Sequence, residues 1–235
     1  MKNYSSFSNK LLILLTSLLL NSCASIDFKG FEIKNLAKSE AGKTYELVIA
    51  SQMESVKALM LKLYRKNPGE LQKASPSVTL TSRMNQIFSD NGPHWIHNEL
   101  GGKASISALE LTFNENFTGD RVLAFTVGLG SMIMESYDNK NEFFILDHIS
   151  PQEIYASAQN IEIANWRLNN KRLTNSGLML LSNSYGPGEI NISYGRLINR
   201  IIDYQDLVVD ILGGNSNQRI PSSVLKLATA VFIPI

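Results

Sequence analysis

Apolar positions along the chain recur mainly at spacings of three and four, the signature of helices that bury one face. From Tyr45 to Tyr64, Ile49, Met53, Val56, Met60 and Leu63 fall on one side, and Asn67-Pro68-Gly69 stops the pattern. A shorter segment from Ser77 places Leu80, Met84, Ile87 and Phe88 together before Asp90-Asn91-Gly92-Pro93 turns the chain. Ile106, Leu109 and Phe113 predict another helix, followed by a polar loop from Asn114 to Asp120. Between Arg121 and Glu135, Val122 to Met134 carries no charge. That run is too short to cross a bilayer, so it reads as a central helix buried on most sides, with a buried strand over Val122 to Val127 as the competing reading.

Phe143-Phe144-Ile145-Leu146 is a short apolar run that fits a strand or the end of a loop packed on the core. Ser150-Pro151-Gln152-Glu153 opens a helix: serine caps, proline takes the first helical position, and glutamate is placed to return the capping bond. Ile154, Ala158, Ile161 and Leu168 form its apolar side, with Lys171 and Arg172 at the end where cations are favoured. After Leu178-Met179-Leu180-Leu181 and the break at Gly186-Pro187-Gly188, a long stripe runs from about Glu189 to Leu212 through Tyr194, Leu197, Ile201, Tyr204, Val208 and Ile211. Gly213-Gly214-Asn215 stops it. Pro221 opens a last predicted helix through Val231, and the apolar end Phe232-Ile233-Pro234-Ile235 is expected to dock on the core. The expected fold is mostly α: a single multi-helix domain over residues 45–235.

The N-terminus follows different rules. Lys2 and Lys10 precede the apolar stretch Leu11 to Leu20, the order of a secretory signal, and the stretch is too short for a transmembrane helix. An uncleaved anchor or a buried helix is the structural alternative. The stretch closes on Leu20-Asn21-Ser22-Cys23, which resembles the lipobox of bacterial lipoproteins. That resemblance implies removal of residues 1–22 as a signal peptide and acylation of Cys23, the single cysteine of the chain. With Ala24 next, it further implies the outer membrane, with the domain facing the periplasm. Residues 23–44 then form the lipidated cysteine and a polar tether. Several acyl chains, at about 0.8 kcal/mol per buried methylene, make such an anchor stable.

Charge adds little. The chain carries 22 basic and 21 acidic residues, a net +1 that becomes −1 once Lys2 and Lys10 leave with the signal. No strong field exists to gather nucleic acid. With Cys23 acylated, neither a disulfide nor a thiol nucleophile is expected.

Four stretches resemble proteobacterial envelope lipoproteins of unassigned function: Leu63 to Pro68, Gly119 to Phe125, Phe143 to Asp147 and Ala228 to Phe232. The resemblance implies a location and carries no activity. Glu135-Ser136 and Gly177-Leu178-Met179 resemble fragments of lysozyme-like lytic transglycosylases, in which a glutamate is the general acid beside a Gly-Leu-Met segment. In this chain Leu180 stands where that family has glutamine. On a helix His94 and His97 would share a face, and Glu99 or Asp120 could complete a three-ligand metal site; Pro93 and Gly101-Gly102 make a loop as likely, with Trp95 and Ile96 buried and the histidines as surface or hydrogen-bonded groups. No Gly-x-Ser-x-Gly elbow exists, and Gly128-Leu129-Gly130 lacks the third glycine of a dinucleotide loop. Arg196, Arg200, Asp203, Asp206 and Asp210 punctuate the last long stripe, as a solvated face with local pairs such as Arg200 with Asp203, or as a docking ridge. No cofactor is expected. The leading expectation is a non-catalytic outer-membrane lipoprotein that binds a protein partner or supports an envelope assembly. The alternative is a cell-wall glycan-cleaving enzyme with Glu135 as its acid.

Overall fold

In a computed structural model of the chain, the described residues are 40–89, 92–174, 177–186, 189–213 and 231–235, all within the compact unit Lys38–Ile235. The signal segment, Cys23 and most of the tether lie outside them, as does the helix predicted from Pro221 through Val231 except for Val231 itself, which is not helical. Seven helices carry the described residues, joined by two small hairpins. They are α1 (Glu40–Lys66), α2 (Pro68–Leu71), α3 (Leu80–Ile87), α4 (Ser105–Thr112), α5 (Arg121–Glu135), α6 (Pro151–Asn170) and α7 (Ser193–Ile211). Strands β1 (Phe88–Ser89) and β2 (Gly92–Pro93) pair antiparallel, as do β3 (Ser184–Gly186) and β4 (Glu189–Asn191). The fold is therefore mostly α, with a single hydrophobic core running through all the long helices.

Helix α5 occupies the centre. Every residue from Arg121 through Met134 is buried, because α1, α4 and α6 all pack against it. The approach of α4 is the tightest. A Cβ added at Gly128 would sit 2.7 Å from the backbone nitrogen of Leu109 and 3.0 Å from the carbonyl oxygen of Ser105, so only glycine permits this crossing. Two residues on, and so on another side of the helix, the Trp95 indole covers Gly130. Helix α7 closes the bundle against α1 and α6, running antiparallel to α1: Tyr194 at its start donates to the Lys62 carbonyl near the end of α1.

Several boundaries differ from the sequence expectation. Helix α1 begins at Glu40, so residues 40–44 belong to the helix and not to the tether. Lys43 pairs with Glu40 at 2.7 Å and the Thr44 hydroxyl donates to the Glu40 carbonyl, local bonds that hold a polar first turn in place. Phe143 to Leu146 is a loop without strand pairing, since Phe143 is buried while Leu146 is 95% exposed. The stripe from Glu189 starts as a strand, and α7 begins only at Ser193. Ser150 does cap α6, accepting from the Glu153 backbone at 3.4 Å, but no return bond from the Glu153 side chain completes a box. The capping box of the fold is at Thr79 and Ser82, which opens α3. As expected, the C-terminus docks: Phe232 is buried and Asn160 bonds both the N–H and the carbonyl of Ile233 at 2.7 Å.

Candidate functional site

Among the described residues, a cluster of buried ionisable side chains is built where α1, α3 and α5 meet. Arg83 faces inward from α3 on the same side as Leu80 and Ile87 and is fully buried. Its guanidinium grips Glu99 with both terminal nitrogens, at 2.6 and 2.7 Å, and also donates to the Gln86 side chain at 2.9 Å. Asp120 approaches the same guanidinium at 3.7 Å from the N-cap of α5. One Asp120 oxygen accepts from the Leu123 backbone at 2.9 Å, the other from the Tyr64 hydroxyl at 2.6 Å. A forked guanidinium between two carboxylates is a strong geometry, because each charge supplies the solvation that water no longer can.

Burial shapes the protonation of the cluster. It pushes the Asp120 carboxyl up to about 6, against Tyr64, Leu123 and Arg83, which favour its charge. Burial, helped by the neighbouring Asp120, raises the Tyr64 phenol far above its ordinary range. Burial opposes the Arg83 charge, yet Glu99, Tyr64 and Asp120 outweigh it and the group stays cationic. Glu99 is held below the ordinary carboxylate range by its bonds to Arg83. Tyr64 and Asp120 are both buried, and the cluster is open to water at Glu99, whose side chain is 40% exposed.

His94 and His97 meet edge to face at 5.6 Å on the loop after β2, and the His97 Nε2 lies 2.8 Å from the His94 carbonyl, which accepts. Burial lowers the affinity of His97 for a proton. Both Glu99 oxygens are taken by Arg83, so His94, His97 and Glu99 do not converge on one point. Asp120 is likewise committed to Tyr64 and Leu123. Among the described residues no group of three His, Cys, Asp or Glu side chains could hold a metal.

Glu135 ends α5 exposed, on a cleft of about 620 Å³ whose walls include Trp95, Ile96, Ser105, Ser107, Asn139 and Ile235; Ile96, expected to be buried, is exposed there. The Gly177 to Met179 fragment lies elsewhere. Leu181 is bonded in both directions by Asn67 at the end of α1, and Thr174 reaches Glu115 in the loop that precedes α5. That fragment therefore belongs to the N-terminal end of α5, while Glu135 is at the other end, roughly 20 Å away at 1.5 Å per residue. Their separation leaves the transglycosylase pairing unassembled. Cys23 lies outside the described residues.

Sequence reasoning missed Arg83 and Tyr64. The available signal was a charge at an inward position of α3, between Leu80 and Ile87, where an isolated cation is too costly to bury without partners. In the sequence Arg121 marks the edge of an apolar run. It is buried instead, donating to the carbonyls of Thr112, Asn114 and Phe117 and so fixing the loop between α4 and α5. On α7, Arg196, Arg200, Asp203, Asp206 and Asp210 are all exposed, and the expected pair of Arg200 with Asp203 is not among the described ion pairs. Compared with family models, curated proteins and solved structures, the chain matches none.

Proposed function

We propose that the protein is an outer-membrane lipoprotein, acylated at Cys23, whose helical domain binds a protein partner at the periplasmic face without catalysing a reaction. The observation that carries this reading is the division of charge within the domain. The ionisable groups best placed for chemistry, Tyr64, Arg83 and Asp120, are buried and bonded to one another, while Arg196, Arg200, Asp203, Asp206 and Asp210 line the exposed length of α7. The first arrangement ties three helices together. The second is a mixed-sign surface of the kind that sets register and partner choice in docking.

A photocrosslinking residue at Arg200, with a second at exposed Lys103 as a control, tests the docking surface in intact cells. The expected result is one discrete adduct from position 200 that disappears on Asp203→Lys. Equal capture from both positions contradicts the proposal. Membrane attachment is tested separately by Cys23→Ala, which releases the protein into the soluble fraction.

The glycan-cleaving reading keeps one specific observation in its favour, the exposed Glu135 carboxylate on a cleft that also presents Trp95. Purified protein incubated with peptidoglycan is expected to release no muropeptides. Release that vanishes in a folded Glu135→Gln variant reverses the order of the two readings, since an amide cannot supply the proton a leaving group needs.

A further inference from the structure

The loop between α5 and α6 holds two apolar side chains out into water. Leu146 is 95% exposed and Ile145 63%. Their exposure is built in from both sides. Phe143 is buried edge to face against Tyr45 at 5.8 Å, and its backbone N–H donates to Glu46 at 3.0 Å. On the far side Asp147 accepts from the Phe144 N–H at 2.7 Å and pairs with Lys140 at 2.9 Å. Asp147 is thus tied to Lys140, and a braced turn presents Ile145 and Leu146 at its crest.

The same pole is where the chain from Cys23 joins the domain. Ala41 and Gly42 of the first turn of α1, Ile145 and His148 of the loop, and Leu212 after α7 line one depression of about 320 Å³. Ile211, beside Leu212, adds a further apolar side chain that is 41% exposed. Between Cys23 and Glu40 the chain can extend by at most about 3.6 Å per residue, on the order of 60 Å in all. A tether of that length keeps this pole near the surface that holds the anchor, at an effective concentration on the order of millimolar. The opposite pole, with exposed Tyr185 and Ile190, lies at the other end of α1, about 40 Å away at 1.5 Å per residue.

We infer that the Ile145–Leu146 tip seats in the headgroup and acyl boundary of the phospholipid bilayer, as a second membrane contact beside the acylated Cys23. The inference rests on the lipoprotein reading. Burying apolar side chains in the boundary is favourable, and one lipid anchor already in place removes most of the entropic cost of the second. The consequence is orientation: the docking face of α7 is held at a fixed attitude to the membrane instead of swinging on its tether.

Because Cys23 is the single cysteine and its sulfur would be acylated, a cysteine introduced at the tip is the only free thiol. The full lipidated chain carrying Leu146→Cys, and separately Tyr185→Cys, is labelled with an environment-sensitive fluorophore and reconstituted into phosphatidylethanolamine–phosphatidylglycerol vesicles. Nitroxide-labelled phospholipid is expected to quench position 146 at least twofold and position 185 not at all. Ile145→Cys, labelled likewise, is expected to follow position 146. Flotation with the vesicles and an acylated Cys23 by mass spectrometry report the anchor independently. Floated, acylated protein with no quenching at 146, or equal quenching at 146 and 185, overturns the inference while leaving the lipoprotein reading intact. Protein that carries no acyl chain overturns both.

Discussion

Asp120 is the residue at which burial and bonding oppose each other most directly, and its titration separates them. Folded, its carboxyl is pushed up to about 6, from an ordinary value of 3.8. The folded state therefore binds more protons than the unfolded state between those two pH values, and stability falls as pH rises through that window. The gap corresponds to about 3 kcal/mol at 1.36 kcal/mol per pKa unit, and Asp120 is 3% exposed, so little of it is screened. The perturbation is Asp120→Asn, which keeps a good N-cap for α5 and removes the titration. Urea denaturation of both proteins at intervals between pH 3.5 and 7.5 is the assay. The wild-type advantage over the variant is expected to shrink by about 3 kcal/mol from the acid end to pH 7 and to be flat above it. Glu99 titrates in both proteins and largely cancels in the difference. An advantage that grows with pH refutes the reasoning, because it means that Tyr64, Leu123 and Arg83 stabilise the carboxylate by more than burial costs it.

Three further outcomes follow from packing and caps. Gly128→Ala should lower stability by about 1–2 kcal/mol in thermal or urea unfolding, since overpacking against the α4 backbone exceeds the roughly 1 kcal/mol gain in helix propensity, while Gly69→Ala, with open space around it, should be neutral or slightly stabilising. Ser150→Ala should cost about 0.5–1 kcal/mol by removing the cap of α6, and an unchanged denaturation midpoint shows that the 3.4 Å bond contributes nothing. Asn160→Ala should release the C-terminus, measured as faster carboxypeptidase trimming past Phe232; equal rates mean that ring packing alone holds it.

What the sequence determined is what local pattern controls. Helix period in Tyr45 to Tyr64, the uncharged run of α5, the Ser150 cap with Pro151 and the stop at Gly213 are each set by neighbours a few residues apart. They placed the long helices and the α class. Tertiary structure alone decided which polar residues are interior. Arg83 and Tyr64 are separated from Asp120 by more than thirty residues of chain, and nothing in the local pattern says that a cation in α3 will meet the N-cap of α5. The structure also parted Glu135 from Gly177, whose fragments looked related only as strings, by putting them at opposite ends of α5. The start of α1 moved for a subtler reason: a polar first turn held by Lys43 and Glu40 has the composition of a tether and the bonding of a helix. Burial of a charge is a property of the whole packed core, because its cost is met only by partners that folding brings from other elements.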